Sequence, residues 1–129
     1  MNRTTPERSA GAVILLVEDE AAAREASRRY LEHLGYRVLE APSAAEALRL
    51  AEAERPDVAV CDWHLGGGSN GVDAATELQQ RYGAAIVFMT AYPIDELRDA
   101  AAEIDVTAFL RKPLSFAELT RAVERATAR

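Results

Sequence analysis

The stretch "VAVCDWHLGGG" (Val58–Gly68) decides how the chain folds. Val58 to Cys61 are apolar on both alternations. A strand with one wet face would alternate apolar and polar residues, so this one is covered on both sides, as a central strand of a parallel sheet is. The run ends on Asp62, and the chain then breaks into Trp63, His64 and, after Leu65, three glycines. A carboxylate at the end of a core strand is out of place unless some chemistry holds it there.

Two other runs share the pattern. "AVILLV" (12–17) and "AAIVFM" (84–89) join "DVAVC" (57–61) at the centre of the sheet. "YRVLE" (36–40) and "VTAFLR" (106–111) are weaker and belong nearer the edges. Helical spacing fills the gaps. The segment after Asp19 brings Ala23, Ala26, Tyr30 and Leu34 onto one face, and Gly35 follows as a C-cap. Ser43 with Glu46, and Ser115 with Glu118, form capping boxes. The second of these opens a helix that buries Phe116, Leu119 and Val123. Asn70 caps a helix after the glycines. "IDELRDAAAEI" is a further helix with a thin, alanine-made apolar stripe. The order is β-α five times over, which predicts one doubly wound α/β domain.

The totals agree. A chain of 129 residues makes one domain. The segment after Lys112 is long enough for one helix and no further domain. Residues 1–10 read as a flexible polar tail and 11–129 as the domain. The hydrophobic share is 49% and the charged share 28%, ordinary for a globular protein. No apolar run approaches the ~20 residues of a membrane span. One cysteine permits no internal disulfide and fits a reducing cytoplasm. Lys and Arg total 15 against 21 Asp and Glu, a net charge of −6. That disfavours nucleic acid and anionic membrane and leaves protein partners and bound cations open.

In open α/β sheets the site lies beyond the carboxyl ends of the strands. There the sequence places Glu18 and Asp19, then Asp62, Thr90 and Lys112. Three carboxylates packed together repel unless a cation sits among them. Oxygen ligands suit Mg²⁺. A carboxylate beside Mg²⁺ and a lysine is a plausible nucleophile toward phosphorus, giving an acyl phosphate. The metal and the lysine would neutralise the phosphoryl oxygens.

With these residues in order, the chain resembles the receiver domain of two-component response regulators over nearly its whole length. The match rests on Glu18-Asp19 after "ILLV", Asp62 after "VAVC", Thr90-Ala91 after "IVFM" and Lys112-Pro113 after "FL". The resemblance implies a (βα)5 flavodoxin-like fold with strand order 2-1-3-4-5. It implies that Asp62 accepts a phosphoryl group from a histidine kinase or a histidine phosphotransfer protein. Mg²⁺ would be held by Asp19, Asp62 and the backbone carbonyl of His64, with Glu18 acting through water. Thr90 would donate to the phosphoryl group, Ala91 would keep its pocket clear, and Lys112 would pair with a phosphoryl oxygen. The Lys112–Pro113 bond is expected to be cis. His64 and Tyr92 stand where this family tunes loss of the phosphoryl group. Phe109 stands where a switch tyrosine often sits. The signal would leave through the face built from the fourth helix, fifth strand and fifth helix, toward a downstream protein target, and a homodimer is left open.

The loop "WHLGGGSNG" is longer and richer in glycine than the family's usual turn, and "EIDV" before the fifth strand points to an irregular end of the fourth helix. Cys61 with His64 lacks zinc-type spacing. The triple glycine lacks the frame of a phosphate-binding loop. Competing functions are a phosphorelay shuttle, the receiver portion of a hybrid kinase, an aspartyl-phosphate phosphatase and a flavodoxin-like cofactor binder. The phosphatase would need a second acid at His64. The flavin binder would need Ser and Thr where Glu18 and Asp19 stand.

Overall fold

The computed structural model describes residues 11–65 and 70–128. The expected tail at 1–10 and the triple glycine lie outside the described residues. Five strands, β1 (Val13–Val17), β2 (Arg37–Ala41), β3 (Val58–Asp62), β4 (Ala85–Thr90) and β5 (Val106–Arg111), alternate with five helices. The helices are α1 (Ala21–His33), α2 (Ala44–Glu54), α3 (Gly71–Tyr82), α4 (Ile94–Ala100) and α5 (Phe116–Thr127). All neighbouring strands pair in parallel, in the order β2-β1-β3-β4-β5. This is the doubly wound fold that the sequence predicts.

Every residue of β3 and β4 is buried, because both faces of those strands are covered. Their alternation sorts side chains into two cores. Leu15, Val17, Ala59, Cys61, Ile86 and Phe88 face α2, α3 and α4. Ile14, Leu16, Val60, Val87, Met89 and Leu110 face α1 and α5. Between β4 and β5 the register slips, with Ile86 opposite Val106 and Val87 opposite Ala108, so Thr107 is an extra residue on the edge strand.

The caps form as expected, in part. Ser43 and Ser115 hydroxyls accept from the backbone N–H of Glu46 and Glu118, both at 3.2 Å. The Glu46 carboxylate, however, pairs with Arg49. Asn70 accepts from Val72 N–H at 2.8 Å. Gly35, just past the α1 C-cap Leu34, has φ 100°, a left-handed conformation that glycine adopts without strain.

Three details differ from the sequence reading. α1 buries Ser27 and Leu31, whereas Ala23, Ala26 and Leu34 are exposed and Tyr30 is half-buried. Leu31 is the larger side chain, and it reaches the core beneath β1 and β3. Phe116, at the first position of α5, is 40% exposed; its ring stacks on Tyr30 at 4.3 Å instead of entering the core. α4 stops at Ala100, and turns carry the chain to Asp105. No helix among the described residues is long and apolar enough to cross a membrane.

Candidate functional site

Strand alternation assembles the site. Leu16 and Glu18, Val60 and Asp62, Leu110 and Lys112 each lie two residues apart, so the polar member continues a face that the apolar member buries toward α1 and α5. Glu18 and Asp62 are 3% and 6% exposed. The Lys112 ammonium lies between them, donating to Asp62 Oδ2 at 2.6 Å and to Glu18 Oε1 at 3.0 Å. Asp19 is exposed. Carboxylate oxygens of Glu18, Asp19 and Asp62 lie within 4.8 Å of one another, close enough to share a metal ion. An all-oxygen donor set with one member open to water fits Mg²⁺.

Burial raises the Glu18 carboxyl above its ordinary pKa, and the Asp62 charge adds to this; hydrogen bonds from Lys112 and from Glu20 N–H oppose it without cancelling it. Burial works against the Lys112 ammonium, but its hydrogen bonds to Asp62 and Glu18 outweigh burial and raise its pKa. The cluster is thus bridged by an ammonium; the sequence reading brought Lys112 to this edge beside the acceptor carboxylate but relied on a metal to offset the repulsion among the three carboxylates.

The backbone around the cluster is tied down. Lys112 N–H donates to Thr90 O at 2.8 Å, and the Lys112–Pro113 bond that follows is cis, as expected. Trp63 N–H donates to Met89 O at 2.9 Å. Thr90 is 1% exposed, and its hydroxyl oxygen accepts from Tyr92 N–H at 2.9 Å, leaving the hydroxyl proton free to donate. Ala91 is exposed beside it. Thr90 continues the Ile86–Phe88 face, toward the core under α2, α3 and α4, where Phe109 packs 6.2 Å from Phe88. The Arg98 guanidinium covers Phe109 at 5.1 Å. Phe109 therefore belongs to the α4 side, apart from the carboxylates. The His64 ring lies between Trp63, tilted at 4.4 Å, and Tyr92, edge-to-face at 4.8 Å.

Two residues that the sequence reading missed shape this edge. Gly71 opens α3 against the end of β3; a Cβ there would lie 2.0 Å from the Asp62 carbonyl oxygen. Its N–H donates to Trp63 O at 2.7 Å. The one sequence signal was a glycine inside a helix, where it lowers helix propensity. Arg24 donates to Glu18 O at 2.7 Å and to Glu40 at 3.3 Å, fixing the backbone beneath Glu18. Nothing in the sequence distinguishes it from a surface arginine. Cys61 is fully buried, and burial, with the Asp62 charge, pushes its thiol up to about 12, which disfavours a zinc thiolate.

Comparison with known proteins agrees. The response regulator receiver domain model matches residues 14–124. The transcriptional regulatory protein PdtaR of Mycobacterium tuberculosis is 35% identical over 90% of this chain and 57% of its own length. The positive alginate biosynthesis regulatory protein of Pseudomonas aeruginosa is 36% identical over 88% of this chain and 46% of its own. The crystal structure of the signal receiver domain of a modulated diguanylate cyclase from Desulfovibrio desulfuricans superposes with TM-score 0.83 at 34% identity, covering 92% of this chain and 94% of that one. The chain spans about half the length of the curated relatives it matches. What they share with residues 14–124 is the receiver domain, and the chain belongs to the response regulator receiver family.

Proposed function

We propose that the chain is a single-domain response regulator. Asp62 accepts one phosphoryl group from a sensor histidine kinase or a histidine phosphotransfer protein, and the phosphorylated state signals through protein–protein contacts. The observation that carries this is the Asp62 carboxylate, buried at a strand end, 2.6 Å from the Lys112 ammonium and grouped with Glu18 and Asp19. A buried carboxylate at a strand end, beside an ammonium and two further carboxylates, has the surroundings that a nucleophile toward phosphorus needs.

In the step proposed, an Asp62 oxygen attacks phosphorus and forms the P–O bond of an acyl phosphate. The bond from phosphorus to the donor nitrogen breaks, and its electron pair stays on the donor imidazole. Lys112 turns from Asp62 to a phosphoryl oxygen. The Thr90 hydroxyl donates its free proton to another, and Ala91 leaves the approach open. Mg²⁺ held by Asp19, Asp62 and the His64 carbonyl, with Glu18 through water, would supply further positive charge. The His64 and Tyr92 rings flank the mouth and restrict the water that later hydrolyses the acyl phosphate. Thr90 and Phe109 face the same core, so movement of Thr90 toward the phosphoryl group opens space into which Phe109 turns.

The test is direct. Incubation with Mg²⁺ and acetyl phosphate adds one phosphoryl group by mass, and Asp62→Ala abolishes it. Labelling that survives in Asp62→Ala, or that maps to His64, sinks the assignment.

A further inference from the structure

We propose that Arg24 is a positioning residue for the cation site. Bound to the Glu18 carbonyl and steadied by Glu40, it fixes the peptide from which Asp19 projects, and so sets the affinity of the cluster for Mg²⁺. The inference rests on the reading of Glu18, Asp19 and Asp62 as a Mg²⁺ site, and it adds to that site two residues, Arg24 and Glu40, that lie outside the cluster.

Of the three carboxylates, Asp19 is the one that burial does not hold. Glu18 and Asp62 are buried, and Lys112 joins them. The other Glu18 oxygen, Oε2, accepts from Glu20 N–H at 3.1 Å. Asp19 is exposed, so the direction of its side chain depends on the backbone that carries it. Both backbone polar groups of Glu18 are engaged: its N–H donates to Ala41 O at 3.1 Å, and its carbonyl accepts from Arg24 Nη1 at 2.7 Å. That carbonyl lies in the plane of the Glu18–Asp19 peptide. A guanidinium on the oxygen therefore holds the plane, and with it the start of Asp19.

Arg24 is itself held. It stands near the N-terminus of α1, the end at which the helix dipole disfavours a cation, so its contacts must offset its place in the helix. The side chain is mostly buried, and Nε donates to Glu40 Oε1 at 3.3 Å. Glu40 lies on β2 opposite Leu16 of β1, two residues beyond Val38, which packs toward α1 and α5. Strand alternation brings the Glu40 carboxylate out on that same face, beside α1. The Arg28 guanidinium, one turn further along α1, pairs with the other Glu40 oxygen, Nε to Oε2 at 2.9 Å. A carboxylate between two guanidinium groups keeps one orientation, and Arg24 keeps its own against it.

Two other roles fit less well. As a surface ion pair, Arg24 with Glu40 would contribute little, and such a pair does not require a guanidinium 2.7 Å from the carbonyl of a buried residue. A direct electrostatic role has the wrong sign, because a positive charge beside the cluster opposes the binding of a cation. Position and charge thus predict opposite effects. If charge is what matters, loss of the guanidinium tightens Mg²⁺ binding; if position matters, loss of the guanidinium weakens it.

The experiment titrates the full chain with Mg²⁺, followed by calorimetry and by the fluorescence of Trp63, the single tryptophan, which adjoins Asp62. It compares the native chain with Arg24→Met, Arg24→Lys, Glu40→Gln and the double variant Arg24→Met/Glu40→Gln, and urea midpoints without Mg²⁺ are measured alongside. Arg24→Met keeps a long side chain of similar helix propensity and removes its donors. It should raise the Mg²⁺ Kd about tenfold, the scale of groups that orient metal ligands. Arg24→Lys, whose ammonium lacks the fork that serves the carbonyl and Glu40 together, should fall between Arg24→Met and the native chain. Glu40→Gln should weaken binding less than Arg24→Met does, and the double variant should bind no more weakly than Arg24→Met alone, because Glu40 acts through Arg24. An unchanged or lower Kd in Arg24→Met, even with a lower urea midpoint, would overturn the proposal and leave the Mg²⁺ site standing. Losses that add in the double variant would overturn the link through Glu40. Should Arg24→Met fail to fold, a native Kd in both Arg24→Lys and Glu40→Gln would overturn the proposal. A native chain that does not bind Mg²⁺ would sink the metal reading and the proposal with it.

Discussion

Gly71 has no side chain, and the backbone at the end of β3 fills the place where one would sit. A methyl group 2.0 Å from the Asp62 carbonyl must push that carbonyl or the start of α3 aside. Gly71→Ala should destabilise by about 1–3 kcal/mol, read as a lower urea midpoint, and should slow phosphorylation from acetyl phosphate. An unchanged midpoint would mean that the helix start yields freely. Glu18 carries a different expectation. The fold holds its proton more tightly than the unfolded chain does, because burial outweighs its hydrogen bonds. The stability this gives is present below the ordinary value of 4.5 and is lost as pH rises through the folded pKa. Glu18→Gln should therefore raise the melting temperature at neutral pH, with a gain that shrinks toward pH 4.5. A lower melting temperature at neutral pH would show that the Lys112 pair outweighs burial. The carboxylates were legible in sequence because each closes an apolar run. Gly71 and Arg24 were not, since a close approach between distant segments leaves no local pattern.

At the scale of elements, α1 shows where periodicity stops being informative. An alanine-rich helix satisfies the 3.6-residue spacing in more than one phase, and the sequence reading chose the phase of Ala23, Ala26, Tyr30 and Leu34. The structure buries Ser27 and Leu31, one position along. The large side chain wins because a buried Leu removes more apolar area from water than an Ala does. The two phases predict opposite stabilities. Leu31→Ala should cost about 2–5 kcal/mol, and Leu34→Ala, at a 38% exposed position, within about 0.5 kcal/mol; denaturant midpoints decide between them. The exposed alanines instead border a groove with Lys112 and Leu114 beside the site. The caps on α2, α3 and α5 were readable from Ser43, Asn70 and Ser115, since a cap is local chemistry. The end of α4 was readable only as an irregularity before β5.

For the whole molecule, the three central strands were legible because doubly covered strands leave unbroken apolar runs, the spatial order came from the family resemblance, and the site followed from the rule for strand ends. The pairing of one lysine with two carboxylates was not, since it depends on which strands are neighbours and on which face each residue falls. If the Glu18–Asp19–Asp62 cluster takes Mg²⁺, the ion stabilises the native state alone, by about 2.7 kcal/mol at a hundred times its Kd. The buried thiol offers a way to see this without heat or denaturant. Cys61 is the single cysteine of the chain, it lies in the central strand one residue before Asp62, and both its burial and its pKa, pushed up to about 12, silence it in the native state. A disulfide reagent reaches it when β3 opens, so its labelling rate is a clock on the opening of the sheet. Saturating Mg²⁺ should slow that clock about a hundredfold. A rate that Mg²⁺ leaves unchanged would mean that the ion does not bind the folded cluster.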